Sequence, residues 1–470
     1  MWLHRGEFKL PGTKQFGFAT TALWLVVIAS TTLLVYALWR SEVIWHGSSR
    51  HLYTKYYLIA ICGLIFSAIT FRLRDSIRLN VVMVVVAVMA TLYTIELCLF
   101  LTEWRLPHPN HIEAAQKNIP YDKRQKYQVV KELQENGIDA VPSVGHHQVE
   151  FSANDEKLIS LSGISKKTTV FCNESGYFSI YPSDRFGFNN PDREWNHSHI
   201  SGLLLGDSFT QGACVKPNED IAGQLRQITG KAFLNLGIAH AGPLVEFARL
   251  VEYGADKKPT YIYWMYFEQN DFRDLRREMR NPRLVQYLSE GFSQNLAEHQ
   301  NAIDKALSKK VEREKSKRTS RGYFKKNLRY YLELGGLRYL LSINNNTGPG
   351  KDRIRTNYQE ELEGLQEILR KAKTIAGTWG GTIYFVYLPS FQRYDTEYPD
   401  YRRFIRWRDE EKSLVFDAVN KLSISIIDID KTVFANQTNP LELFPFRMNG
   451  HYNDEGYRLI AEEIVKHTSL

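Results

Sequence analysis

Apolar and polar positions are distributed very unevenly along this chain. Residues 16–39 carry no charge, residues 56–71 carry none, and residues 79–101 are broken only by Glu96. A bilayer core is crossed by about 20 apolar helical residues, so these three runs predict membrane-spanning helices. Lys55 and Arg72 bracket the shortest run, where long basic side chains reach the interfaces. The first run is too long, and has the wrong sequel, for a cleaved leader. Three spans place the two termini on opposite faces. Arg5, Lys9 and Lys14 precede the first span, and Arg40, Arg50 and Lys55 follow it. Arg72, Arg74 and Arg78 crowd the second loop, while Arg105 alone follows the third span. That bias leans toward a cytoplasmic N-terminus and an exported C-terminal part. Glu96, near the outer end of its span, reads as a solvated interfacial carboxylate rather than a functional contact.

Past residue 102 the pattern changes. Residues 103–198 are polar, with a helical patch at 122–136, a β-leaning stretch at 158–172 and a turn-rich run at 181–192. This part reads as an extracytoplasmic lead-in whose Asn-Pro run packs over a sheet edge, with substrate contact as the alternative. From 199 onward, short apolar segments at 201–205, 232–238, 261–267, 382–388 and 424–429 predict strands. Helical patterns at 220–229, 244–255, 359–375 and 458–467 fall between and after them. Such alternation predicts a parallel sheet in a flavodoxin-like three-layer α/β/α sandwich. An insertion at about 276–355 interrupts it. The organisation is therefore a membrane part (1–102), a lead-in (103–198) and an α/β domain (199–470).

The most informative segment is Leu203-Leu204-Leu205-Gly206-Asp207-Ser208-Phe209. A buried-strand pattern stops at Gly-Asp-Ser and a helical one follows. Ser208 is thereby placed at the carboxyl edge of a sheet, where open α/β folds bind ligands, and beside a helix N-terminus, which favours negative charge. The strand 261–267 ends in Glu268-Gln269-Asn270-Asp271. Gly450-His451-Tyr452-Asn453-Asp454 leads into the final helix. Taken singly, Asp207 reads as a cap, Asn270-Asp271 as a strand-end turn and His451 as a loop histidine.

In this order, the three blocks resemble those of the SGNH (GDSL-like) hydrolase superfamily over roughly residues 200–470. The resemblance implies a catalytic set of Ser208 as nucleophile, His451 as general base and the adjoining Asp207. It implies an oxyanion hole built from N–H groups near Ser208 and Gly242 with the Asn270 amide. Two departures stand out. The aspartate expected three residues before the histidine is Met448, leaving Asp428, Asp430 or Glu442 as candidates for the third member. The glycine expected after Asn235-Leu236-Gly237 falls on His240, with Gly242 two residues later. Any residue except proline supplies a backbone N–H, so the hole survives that change.

The implied activity is that of a membrane-anchored serine esterase or O-acyltransferase, acting on acyl groups of a surface polysaccharide outside a bacterial cytoplasmic membrane. An acyl-serine would pass to water or to a sugar hydroxyl; the transferase case needs a separate membrane acyl-donor protein. A lipid esterase and a non-catalytic glycan-binding or assembly subunit are the alternatives, the last resting on Met448. Composition adds three things. The formal net charge is +8, and Lys305, Lys309, Lys310, Arg313, Lys315, Lys317, Arg318, Arg321, Lys325 and Lys326 concentrate it in the insertion. A solvated charged helix, anionic headgroups or an acidic glycan would account for them; nucleic acid does not fit an exported domain. Of 4 cysteines, Cys62 and Cys98 lie in spans, while Cys172 and Cys214 form a possible disulfide or two free thiols. No Cys/His spacing suggests zinc, and no cofactor is expected.

Overall fold

The computed structural model describes residues 13–44, 50–101, 109–145, 149–153, 156–317, 331–332, 334–340, 358–397 and 401–469. The chain divides into two compact units, Met1–Arg105 with Asn327–Asn345, and Leu106–Lys326 with Asn346–Leu470.

The first unit holds the helices Thr13–Leu38, Arg50–Phe71 and Asp75–Leu101. Their apolar character runs all round: Leu25, Ile28, Leu58, Ile59 and Val84 all point outward. A helix uniform in that way belongs in lipid or a protein core. Among the described residues, three stretches are long and apolar enough to cross a membrane: Gly17–Ile44, Tyr53–Phe71 and Asp75–Leu99. Glu96 departs from expectation. It is buried, and its carboxylate accepts hydrogen bonds from Gly336 N and Leu337 N at 2.9 Å each. It caps the short helix Gly335–Leu340, a piece of the insertion that belongs to this unit.

The second unit opens with helices Pro109–Gln116 and Lys126–Glu135, followed by the short strands β1 (Ala140–Pro142), β2 (Glu150–Ala153), β3 (Glu156–Ile159), β4 (Thr168–Val170) and β5 (Ile180–Pro182). β1 pairs parallel to β4 and β4 antiparallel to β5, while β2–β3 form a hairpin. This region is more than a lead-in. Phe151, Leu158, Ile164, Phe188 and Trp195 join the main hydrophobic core. The buried Asp184 carboxylate accepts from Phe186 N, Phe188 N, Asn190 Nδ2 and Trp195 Nε1, fixing the turn-rich run. Asn190 then exchanges hydrogen bonds with the backbone of Asn235, so the run lies against a sheet-edge strand, as expected.

The main sheet comprises β6 (Gly202–Leu205), β7 (Phe233–Asn235), β8 (Tyr261–Phe267), β9 (Thr382–Leu388) and β10 (Ser425–Asp428). Its order is β10-β9-β8-β6-β7, and every pairing is parallel. Period-2 alternation sorts the side chains. Leu203, Leu205, Ile262, Trp264 and Tyr266 pack toward helices Pro243–Arg249 and Gln359–Gly377. Leu204, Tyr263, Met265 and Val386 pack toward helices Ile221–Thr229 and Asp454–His467. The result is the expected parallel α/β/α sandwich. From β6 the chain adds β7 on one side and β8, β9 and β10 on the other, so the winding of the sheet reverses between β6 and β8, the switch point where such folds place their ligands.

The insertion is two different things. Helix Gln300–Lys317 is docked on the second unit through Ile303, Leu307 and Val311, whereas 327–345 belongs to the first. Arg318, Arg321, Lys325 and Lys326 lie outside the described residues.

Candidate active site

Two strand ends at the switch point carry the site. β6 runs out at Leu205, and Ser208 opens a four-residue helix, Ser208–Gln211. Gly206 permits this sharp turn, because a Cβ there would overlap Thr210. Asp207 is buried and caps the helix, its Oδ1 accepting from Phe209 N at 2.9 Å. Ser208 N, at the first helical position, has no acceptor within the helix.

His451 arrives from the loop before the last helix. Its Nε2 lies 2.8 Å from Ser208 Oγ. Its Nδ1 lies 3.0 and 3.1 Å from the two oxygens of Glu174, and its backbone N–H donates to Glu174 Oε2 at 2.7 Å. A carboxylate can only accept, so it fixes the tautomer: Nδ1 carries the proton and Nε2 is free to take one from Ser208. The ring packs against Phe209, with centroids 4.6 Å apart. Gly450 makes room for this arrangement, since a Cβ there would stand 2.5 Å from Glu174 Oε2.

Glu174 is the residue that sequence reasoning missed. The structure brings it to His451 in place of Asp428, Asp430 and Glu442, each of which is engaged elsewhere. Asp428 accepts from Lys431 N and pairs with Lys412. Asp430 accepts from Tyr394 Oη and Lys412 Nζ. Glu442 pairs with Arg447 at an exposed position. Asp428 and Asp430 tie their strand end to Tyr394 and to Lys412 of helix Tyr401–Asn420, and Glu442 pairs within its own loop. Glu174 is held by the disulfide Cys172–Cys214, which joins its segment to the turn just beyond Ser208. Ser175 Oγ adds a hydrogen bond to Cys214 O. Glu174, Cys214 and His451 lie close enough together for a metal, but a disulfide sulfur is not a thiolate ligand.

The opposite wall differs from expectation. Gly242 N, expected to face the substrate, donates instead to Glu278 Oε1 at 2.7 Å, and Leu244 N and Val245 N reach Glu278 Oε2. The first turn of helix Pro243–Arg249 exposes orphan N–H groups, and the buried Glu278 carboxylate satisfies them. His240 takes φ 66°, the left-handed region that favours glycine, at the position where the sequence replaces one. Asn270 Nδ2 is held by Asp207 Oδ2 at 3.0 Å and Asp274 Oδ2 at 3.1 Å. Asp207 thus touches Asn270 and the helix turn rather than the Ser208 hydroxyl. It positions the wall, and only its charge, not a hydrogen bond, reaches His451. Asn270, Asp274 and Glu278 recur every fourth residue, on one face of helix Asp271–Glu278 and its N-cap.

Electrostatics separate the two sides. Burial lowers the affinity of His451 for a proton, but the charge and hydrogen bond of Glu174, with the charge of Asp207, outweigh it. The imidazole pKa therefore lies above its ordinary value. Burial raises the Asp207 carboxyl against the hydrogen bonds from Asn270 and Phe209 N. Burial also pushes Glu278 up to about 7, against the backbone N–H groups it accepts. Ser, His and Glu in this contact order can do one thing well: move a proton off a serine oxygen as it attacks an electrophile.

No family profile matches this sequence, and none of the curated proteins does. Solved structures do resemble it. An acetyl xylan esterase shares 10% identity over 57% of this chain and 100% of its own, with a TM-score of 0.31. A lipase/acylhydrolase from Enterococcus faecalis shares 14% over 57% of this chain and 93% of its own, at 0.31. A two-domain esterase active on acetylated mannans shares 15% over 58% of this chain and 50% of its own, at 0.28. Likenesses at such scores carry no argument about activity, which has to come from the site itself.

Proposed function

We propose that this protein is a membrane-anchored serine esterase of the SGNH type, acting through an acyl-serine intermediate on ester groups of a surface polysaccharide. The observation that carries this reading is the continuous contact from Ser208 Oγ through His451 to Glu174. His451 Nε2 takes the serine proton as Ser208 attacks the acyl carbonyl, and Glu174 stabilises the imidazolium that forms. His451 then returns the proton to the departing alkoxide. The tetrahedral oxyanion is received by Ser208 N–H and by the Asn270 amide, which turns one N–H from Asp274 to the substrate. Gly242 is excluded because Glu278 holds its N–H.

The acyl group then passes to water or to a sugar hydroxyl; in the second case a separate membrane protein supplies the acyl donor. The polysaccharide is proposed on the strength of the sequence resemblance. The disulfide and the charge bias of the loops support an extracytoplasmic location in a bacterial cytoplasmic membrane. The rival reading, a glycan-binding subunit that lost its acid at Met448, loses its motive because Glu174 provides one. Turnover of p-nitrophenyl acetate by the detergent-solubilised full chain tests the proposal. Release of nitrophenolate, abolished by Ser208→Ala together with fluorophosphonate labelling, is the expected result. A folded, unreactive wild type overturns it.

A further inference from the structure

A second feature of this unit lies on residues that the site above does not use. Helix Gln300–Lys317 turns Lys305, Lys309 and Arg313, spaced i, i+4 and i+8, to one side. With Lys310 they line a cleft of about 650 Å³, whose other wall is strand β2 with Phe151. That volume is within the range of sites that hold small molecules or short polymer segments. Four cations face two carboxylates, Glu150 and Glu314. Among the described residues, no ion pair joins any of the four to a carboxylate. Glu314 is the acceptor of the Tyr127 hydroxyl.

Lys310 is the telling member. Its Nζ is shut off from solvent and has no hydrogen-bond partner, and burial lowers its pKa against the nearby charge of Glu314. A charged amine without a partner is costly, and structures retain such a group where something supplies the missing acceptor. Simple docking of the helix does not need it, because Ile303, Leu307 and Val311 already make that contact.

We propose that this cleft binds the carboxylate groups of an acidic, uronate-bearing polysaccharide, as an accessory site outside the catalytic centre. Several lysines aimed into one cleft suit a run of point anions spaced along a polymer. The aliphatic stems of Lys305 and Lys309, exposed along the cleft, suit the faces of sugar rings. A cleft between a helix and a hairpin fits a chain, whereas a planar bilayer surface meets a convex basic face. The proposal names the class of glycan and so extends the catalytic reading, yet its binding test is independent of turnover.

The test uses full-length protein in nanodiscs of neutral lipid, titrated with an oligogalacturonate and with a neutral xylo-oligosaccharide. Oligogalacturonate binding that weakens with salt, and a neutral oligomer that does not bind, is the expected pattern. Lys305→Gln/Lys309→Gln changes exposed positions only and should weaken binding roughly tenfold. Lys310→Met should do the same while raising the melting temperature, since it removes an unpartnered buried charge. p-Nitrophenyl acetate turnover should be unchanged in both. Failure of the wild type to bind, or undiminished binding by both variants, overturns the proposal. Binding to phosphatidylglycerol vesicles without binding to oligogalacturonate would replace it with a lipid surface. Loss of turnover in Ser208→Ala with intact binding would show the two sites to be separable.

Discussion

The two halves of the Ser208–His451–Glu174 relay are built in opposite ways. Ser208 is positioned by its own neighbours: a strand, a glycine, a capping aspartate and a helical turn within a few residues. Glu174 is positioned from 277 residues away from the histidine it serves, by a disulfide, a backbone N–H and the space left at Gly450. A local device is robust and leaves a motif. A tertiary device leaves none, and each of its supports can be removed separately.

The largest expected effect comes from the local half. Ser208→Ala or His451→Ala should lower kcat/KM for p-nitrophenyl acetate by roughly 10⁴- to 10⁶-fold, and the double variant should be no worse, because the two act as a unit. In the tertiary half, Glu174→Ala should cost about 10³- to 10⁴-fold, whereas Asp430→Asn and Glu442→Gln should leave the rate near wild type. A large loss from either of those two would put the acid back in the loop before His451.

The disulfide comes next. It closes a separation of 42 residues, worth about 4 kcal/mol on the chain-entropy account. Cys172→Ser/Cys214→Ser should therefore lower the unfolding transition of the second unit and, unlike a distant destabilising change, weaken fluorophosphonate labelling of Ser208 at temperatures where the unit is still folded. Gly450→Ala, which crowds Glu174 Oε2, should reduce kcat about tenfold with little change in melting temperature. The smallest effect is predicted across the site. Glu278→Gln keeps one acceptor for the loop amides and should lower kcat several-fold, with KM little changed.

The same contrast explains what the sequence reveals. The parallel sheet was legible because each strand is a short apolar run with a helix after it, and the nucleophile because Gly-Asp-Ser closes one such run. His451 was legible from its place before the last amphipathic helix. The acid was not. Asp428, Asp430 and Glu442 lie near His451 in sequence, but Lys412, Arg447 and the Tyr394 hydroxyl already claim them. One signal pointed the other way: Glu174 stands two residues after Cys172, and Cys214 stands six residues after Ser208. A bridge between those cysteines has to bring Glu174 to the nucleophile turn. Gly242 misled for a related reason. A glycine beside a helix start looks like an exposed amide, but a carboxylate on a later helix had taken it. Glu96 misled too, because nothing near it in sequence announces that part of the insertion belongs to the first unit.

The most direct test of the account is the pH dependence of kcat/KM for wild type and Glu174→Gln, with melting curves to show that both are folded. His451 works as a base only when neutral, and Glu174 holds its pKa above the ordinary value of about 6.5. The wild-type rate should thus rise with pH through an apparent pKa above that value. The Glu174–His451 contribution to folding should be complete below pH about 6.5 and fade as pH rises through the folded-state pKa. In Glu174→Gln the rate should drop about 10³-fold or more, and its midpoint should move to lower pH because the neighbouring negative charge is gone. A folded Glu174→Gln variant with the wild-type rate and an unmoved midpoint would contradict the account.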